Sequence, residues 1–157
     1  MKKEHPSVLN MWKGFLESIG ENVEETEKQY SSWHFEITEK GANSLAELVI
    51  NGVKKATAAS LWVEEYDNGY IPKEGDYSII TNWDGVAKCI IQTKRVNIVP
   101  YNQVTEEFAR IEGEGDLSLD YWRKVHEIYY IKECERIGKK FTQEMPVICE
   151  EFDVVFK

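Results

Sequence analysis

Gly52, Lys54 and Thr57 fall within the stretch Gly52-Val53-Lys54-Lys55-Ala56-Thr57, which leaves an apolar helical segment and runs into a β-prone one. Flexible backbone, an ammonium group and a hydroxyl around a single turn make a candidate polar site. A threonine hydroxyl becomes a nucleophile when a neighbour accepts its proton, and a lysine accepts one only if burial or a nearby cation lowers its pKa. Lys55 is such a cation beside Lys54. The same residues also read as a charged turn, with Thr57 an ordinary β-branched strand residue.

A second candidate is Glu112-Gly113-Glu114-Gly115-Asp116, where carboxylates alternate with glycines just before a helix. Glycine lets backbone approach where a side chain would block it, and the carboxylates suit acid/base work. The other reading is an exposed acidic loop in which Asp116 or Ser118 caps the helix. His126 follows Trp122 by one helical turn, and a single helical histidine is more often structural than functional. Trp62 and Trp83 have faces that could stack on a base or pack in a core. His5 and His34 have no supporting constellation.

Several chemistries lack their signatures. The chain has no Walker loop, GxGxxG, HExxH or GxSxG pattern, and no EF-hand spacing. Cys89, Cys134 and Cys149 are odd in number and show no CxxC or Cys/His spacing, which argues against a disulfide framework or a structural zinc. No cofactor or metal is expected. With 28 acidic against 19 basic residues, the net charge of −9 works against indiscriminate binding of phosphate backbones or anionic membranes. Lys54, Lys55, Lys88, Lys94 and Arg95 are either a local basic pocket or solvated charges. The absence of a secretory leader and of any long apolar run leads to the expectation of a cytoplasmic protein.

The elements that must position these residues follow from periodicity. The 157 residues, 42% of them apolar, suit one compact domain. Val8, Leu9, Trp12, Phe15, Leu16 and Ile19 predict a helix from Pro6 to Gly20. The acidic stretch 21–27 reads as a linker or short helix. Trp33, Phe35 and Ile37 alternate as in a half-buried strand, and a helix from near Gly41 to Asn51-Gly52 follows. Ala56 to Val63 is a strand candidate. Tyr77–Asn82 and Val86–Thr93 form a hairpin about Asp84-Gly85, with strand character running on until Pro100. Asn102 or Thr105 caps a short helix. Ser118 caps the longest one, with Leu119, Trp122, Val125, Tyr129 and Ile137 along one face. The chain ends in a strand. The fold class is α+β, with a sheet curled into a small barrel and helices beside it.

Gly52-x-Lys54-x-x-Thr57, followed by the run from Glu112 through Gly113-Glu114-Gly115-Asp116, Ser118 and Trp122 to His126, resembles the ASCH-domain family, relatives of the PUA-like RNA-binding β-barrels. A Trp/Phe helix ahead of the motif makes it more similar to a bacterial subgroup of that family. The resemblance implies an N-terminal helix and acidic linker over 1–29, packed on a PUA-like ASCH domain over 30–157, with a barrel of five or six strands. It implies either recognition of RNA or a nucleotide, or amide hydrolysis as in small ASCH enzymes that deacetylate acetylcytidine. In those enzymes a lysine, a threonine and a later glutamate form the catalytic set, which maps onto Lys54, Thr57 and Glu114, with Glu112 as the second choice. Gly52, Lys55, Ser60, Trp62, Trp83, Asp116 and His126 are the residues expected to bind substrate with them. Ala58, Ala59 and Ser60 stand where the small enzymes carry a more basic run. The expected partner is a small nucleoside or nucleotide, or single-stranded RNA, and no membrane. A module that only binds, or a regulatory domain with no ligand, remains open at this level.

Overall fold

The computed structural model describes residues 3–157. Along the chain the elements are α1 (Pro6–Ser18), β1 (Tyr30–Trp33), α2 (Glu39–Ile50), β2 (Ala56–Ser60), α3 (Leu61–Tyr66), β3 (Tyr77–Thr81), β4 (Ala87–Pro100), α4 (Glu106–Glu112), α5 (Leu119–Arg136) and β5 (Pro146–Phe156), with a 3-10 turn at Tyr101–Gln103. The strands form one mixed sheet in the order β1-β3-β4-β5-β2. The pair β1/β3 is parallel, and the pairs β3/β4 and β2/β5 are antiparallel.

This sheet is not closed, which corrects the expected barrel. Closure requires the two end strands to pair with each other, and here β1 has four residues, β2 has five, and each has a strand neighbour on one side only. The strand expected to reach Val63 stops at Ser60. The Ser60 hydroxyl accepts the Val63 N–H at 3.4 Å and starts α3 in place of further strand.

Two compact units share these elements. One comprises the chain up to Gly52 with Gly75–Thr93 and Phe152–Lys157; the other comprises Val53–Glu74 and Lys94–Glu151. In the first, Pro6 opens α1 and His5 caps it by accepting the Ser7 N–H. The apolar face of α1 then buries Val8, Trp12, Phe15 and Leu16 against Ile79 and Ile90. Trp12 packs its ring against Phe15, Tyr30 and Tyr77, with centroids 4.9–5.6 Å away. Thr38 caps α2, which buries Ala46 and Val49 with Phe35, Ile80, Cys89, Ile91 and Phe152. Ile37 does not continue the alternation of Trp33 and Phe35. The backbone turns at Glu36, with φ of 64°, and leaves Ile37 79% exposed. The hairpin forms as predicted, with Gly85 at φ of 84° and Asn82 accepting the Val86 N–H on its side chain.

In the second unit, Thr105 caps α4 and Ser118 caps α5. Their apolar sides enclose Phe108, Ala109, Trp122, Tyr130 and Cys134 with Tyr101, Met145, Val147 and Cys149. The buried face of α5 keeps Leu119, Trp122 and Ile137 of the predicted one, but Val125 and Tyr129 are exposed, and Tyr130 and Cys134 are inside in their place. The true stripe has a four-residue step, 122, 126, 130, 134, and the polar His126 interrupts it. No helix among the described residues is long and apolar enough to cross a membrane.

Trp12→Ala removes the ring that joins α1 to Tyr30 and Tyr77 and should lower unfolding free energy by about 3–5 kcal/mol. Denaturant unfolding of the variant checks this, and a loss below about 1 kcal/mol would mean that α1 is not packed as described.

Candidate functional site

The site lies wholly in the second unit, where the turn before β2 meets the end of α4. The Lys55 N–H donates to the Ile111 carbonyl at 2.9 Å, tying the turn to the last residues of the helix. Gly113 ends α4 at φ of 76°, and a Cβ there would overlap the Val53 carbonyl and crowd Lys54 Cα. Only glycine satisfies both the left-handed conformation and the close approach. The loop therefore lies directly on the turn, bringing Glu112 and Glu114 to the Lys54 ammonium.

Lys54 is 1% exposed. Its Nζ donates to the Ala56 carbonyl at 2.8 Å, to Glu114 Oε2 at 3.1 Å and, more weakly, to the Glu112 carbonyl at 3.5 Å. Glu112 Oε1 lies 3.7 Å away. Glu112 is itself buried, and its carboxylate has further donors: Trp122 Nε1–H bonds to Oε2, and His126 Nε2 lies 3.2 Å from Oε1. His126 Nδ1 faces the Trp122 carbonyl at 2.8 Å. Both ring nitrogens thus face acceptors, so the imidazole carries both protons while Glu112 is ionised. The ring also stacks on Trp122 at 4.1 Å between centroids, a favourable place for a cation.

Electrostatics agree with this geometry. Burial pushes the Glu112 carboxyl upward, but Lys54, His126 and Trp122 together outweigh it and hold the group below the usual carboxylate range. Burial also works against the His126 imidazolium, and the hydrogen bond and charge of Glu112 overcome it, so this histidine titrates above its ordinary value. Glu114 is the carboxylate of this cluster that reaches solvent, with a side chain 25% exposed.

The other expected site residues are placed as follows. Thr57 is half-buried in β2, opposite Glu150, and its hydroxyl makes no hydrogen bond among the described residues. Because directly opposed residues of an antiparallel pair project to the same face, Thr57 and the buried Glu150 share one side of the sheet. Lys55 is exposed. Ser60 is buried as the cap of α3, donating to Met145 Sδ at 3.2 Å. Trp62 packs on the core with the Lys139 ammonium 5.0 Å from its ring centroid. Asp116 accepts the Ser118 N–H ahead of α5. Gly52 and Trp83 belong to the first unit, where Gly52 follows α2 at φ of 73° and Trp83 lies against His34. A groove of about 310 Å³ beside the later part of β4, walled in part by Ile98, Phe108 and Cys149, includes none of Lys54, Thr57, Glu112, Glu114 or His126.

Sequence reasoning missed Trp122 as a member of the site. The four-residue step from Trp122 to His126 was the available signal, because it places both side chains on the face that receives Glu112. Glu112, Glu114 and His126 also have ligand atoms within 4.8 Å of one another, a geometry that could hold a metal ion. The Lys54 ammonium already pairs with both carboxylates, and both Glu112 oxygens accept from protein donors, so the donor set fits an internal cation better than a metal.

Two outcomes follow. Gly113→Ala forces the loop off Val53 and should destabilise the protein by at least about 1 kcal/mol while opening Lys54 to solvent; an unchanged melting temperature would contradict the close approach. Because the folded pKa of His126 is raised above 6.5, its stabilisation is complete below that value and is lost as pH rises through the folded pKa. The depressed Glu112 works in the opposite sense, its contribution being lost as pH falls through a folded pKa below the usual range. Denaturant unfolding across pH 5 to 9 should show falling stability on the alkaline side of this range, with a shallower slope in His126→Gln; identical slopes would contradict the pairing.

The ASCH domain family profile matches residues 31–156. The chain is also similar to the crystal structure of an ASCH domain from Lactobacillus crispatus JV V101, with 32% identity, a TM-score of 0.90, and coverage of 100% of this chain and 99% of that one. A crystal structure of a protein from Enterococcus faecalis V583 matches with 30% identity and a TM-score of 0.82 over 96% of this chain and 88% of that one. No curated protein matches. The profile match and the full-length likeness in sequence and fold give one conclusion: the chain belongs to the ASCH domain family.

Proposed function

We propose that the protein hydrolyses the amide of a small acylated pyrimidine nucleoside, with Glu114 and Lys54 at the centre of the reaction. The observation that carries this reading is a buried lysine paired both with a buried glutamate and with a second glutamate that reaches solvent. Burying charges costs several kcal/mol per ion, and a hydrophobic pair of similar volume would often stabilise as well or better. Such a network is therefore a better candidate for chemistry than for stability alone.

In this mechanism the Thr57 hydroxyl attacks the amide carbonyl carbon and its proton passes to the Glu114 carboxylate. Glu114 returns that proton to the nitrogen as the C–N bond breaks, releasing the amine and leaving an acyl ester on Thr57. Water, giving a proton to the same carboxylate, cleaves the ester to a carboxylic acid and restores the hydroxyl. Lys54 acts as a donor throughout. Its ammonium is directed at three protein oxygens, so it orients Glu114 and balances its charge in place of the base role expected from sequence. Glu112, fixed by Trp122 and His126, holds Lys54 in turn.

A module that only grips phosphate through Lys54 fits less well. That ammonium is 1% exposed and engaged by protein acceptors, and a chain of net charge −9 is a poor host for a polyanion. A neutral nucleoside suits both facts.

Positioned acid/base groups are typically worth about 10²- to 10⁴-fold in rate. Glu114→Gln and Thr57→Ala should each lower deacylation of acetylcytidine by at least about 100-fold, with unchanged melting temperatures, as followed by chromatography. Wild-type rates in both variants would overturn the mechanism.

A further inference from the structure

We propose that Tyr121 is the stacking surface of this site and that it receives the planar ring of the ligand. The inference rests on the reading above for the location of the site and adds the residue that holds the ring.

Three observations meet at this residue. Gly115, immediately after Glu114, has φ of 60°, and a Cβ there would overlap the Tyr121 ring. The ring thus lies against the backbone of Gly115, the residue that follows Glu114. Tyr121 is nevertheless 38% exposed, so one side is supported by the loop and part of the ring remains open to water. Its position is also fixed at the backbone, where its N–H donates to the Ser118 hydroxyl at 3.0 Å. A half-open ring held by a glycine loop is a pre-organised platform, and base–aromatic stacking needs only a π-face.

The two tryptophans expected to stack are differently engaged. Lys139 lies over the Trp62 ring at 5.0 Å, and Trp83 packs with His34 at 5.1 Å in the first unit. Around Tyr121, Leu117 and Val125 are exposed at 39% and 41% and supply no charge. The neighbouring loop carries Glu114 and Asp116, and Lys124 is exposed three residues along α5 from Tyr121, so the charge beside the ring is mixed. An aromatic face and apolar flanks suit the planar ring of a heteroaromatic ligand.

The test is calorimetric titration of cytidine into the wild type and into Tyr121→Phe, Tyr121→Leu and Tyr121→Ala, with acetylcytidine hydrolysis measured in parallel. Stacking predicts that the Kd rises by about ten-fold or more in the Leu and Ala variants and stays within about two-fold in Phe. The Leu variant keeps apolar bulk without a π-face, and thermal melts of all four proteins separate lost binding from lost folding. Equal affinity in all four, equal loss in Phe and Leu, or no cytidine binding by the wild type would each overturn the assignment. Tyr121-dependent binding without hydrolysis would retain this inference and overturn the amidohydrolase reading. Hydrolysis with affinities unchanged across the variants would do the reverse.

Discussion

The approach of the Gly113 backbone to the Val53-Lys54 turn is the constraint on which the site depends. A side chain at Gly113 would collide with the Val53 carbonyl, and without that contact Glu112 and Glu114 would not meet the Lys54 ammonium. Charges taken out of water need partners in good geometry, or the desolvation cost prevails. Here one cation is shared by two carboxylates, and one of these is shared again by Trp122 and His126. Each buried charge is compensated by groups from a different element: the turn before β2, the end of α4, and α5.

This arrangement gives the two glutamates different roles although they are two residues apart. Glu112 is enclosed, doubly hydrogen-bonded and held ionised, so it anchors the network. Glu114 shares the same lysine but keeps contact with solvent, the condition for exchanging protons with a substrate. The alternation of glycine and glutamate makes the division possible, because the left-handed residues at 113 and 115 turn successive peptides and separate the two carboxyl groups.

Much of this was legible from sequence. The caps at Thr105 and Ser118, the hairpin at Asp84-Gly85 and the terminal strand follow from local chemistry, and the structure contains each of them. The pairing of the Lys54 turn with the Glu112–Glu114 loop was expected only from family resemblance, since no local rule joins residues 58 positions apart. Tertiary demands decided the features that differ. Ser60 satisfies a helix N–H and cuts the strand short, the sheet stays open because its end strands pair on one side only, and His126 conceals the buried stripe of α5 by occupying a core-facing position with a polar group. Its partner, Glu112, explains why that position tolerates an imidazole, and the partner is invisible in a helical pattern read alone.

The most direct measurement is mass spectrometry of the protein quenched during reaction with acetylcytidine, followed by peptide mapping. The account predicts free cytidine and acetate, together with a transient acetyl group on the peptide that contains Thr57. Turnover with no acylated Thr57 peptide under conditions that trap esters, or no release of cytidine at all, would contradict it.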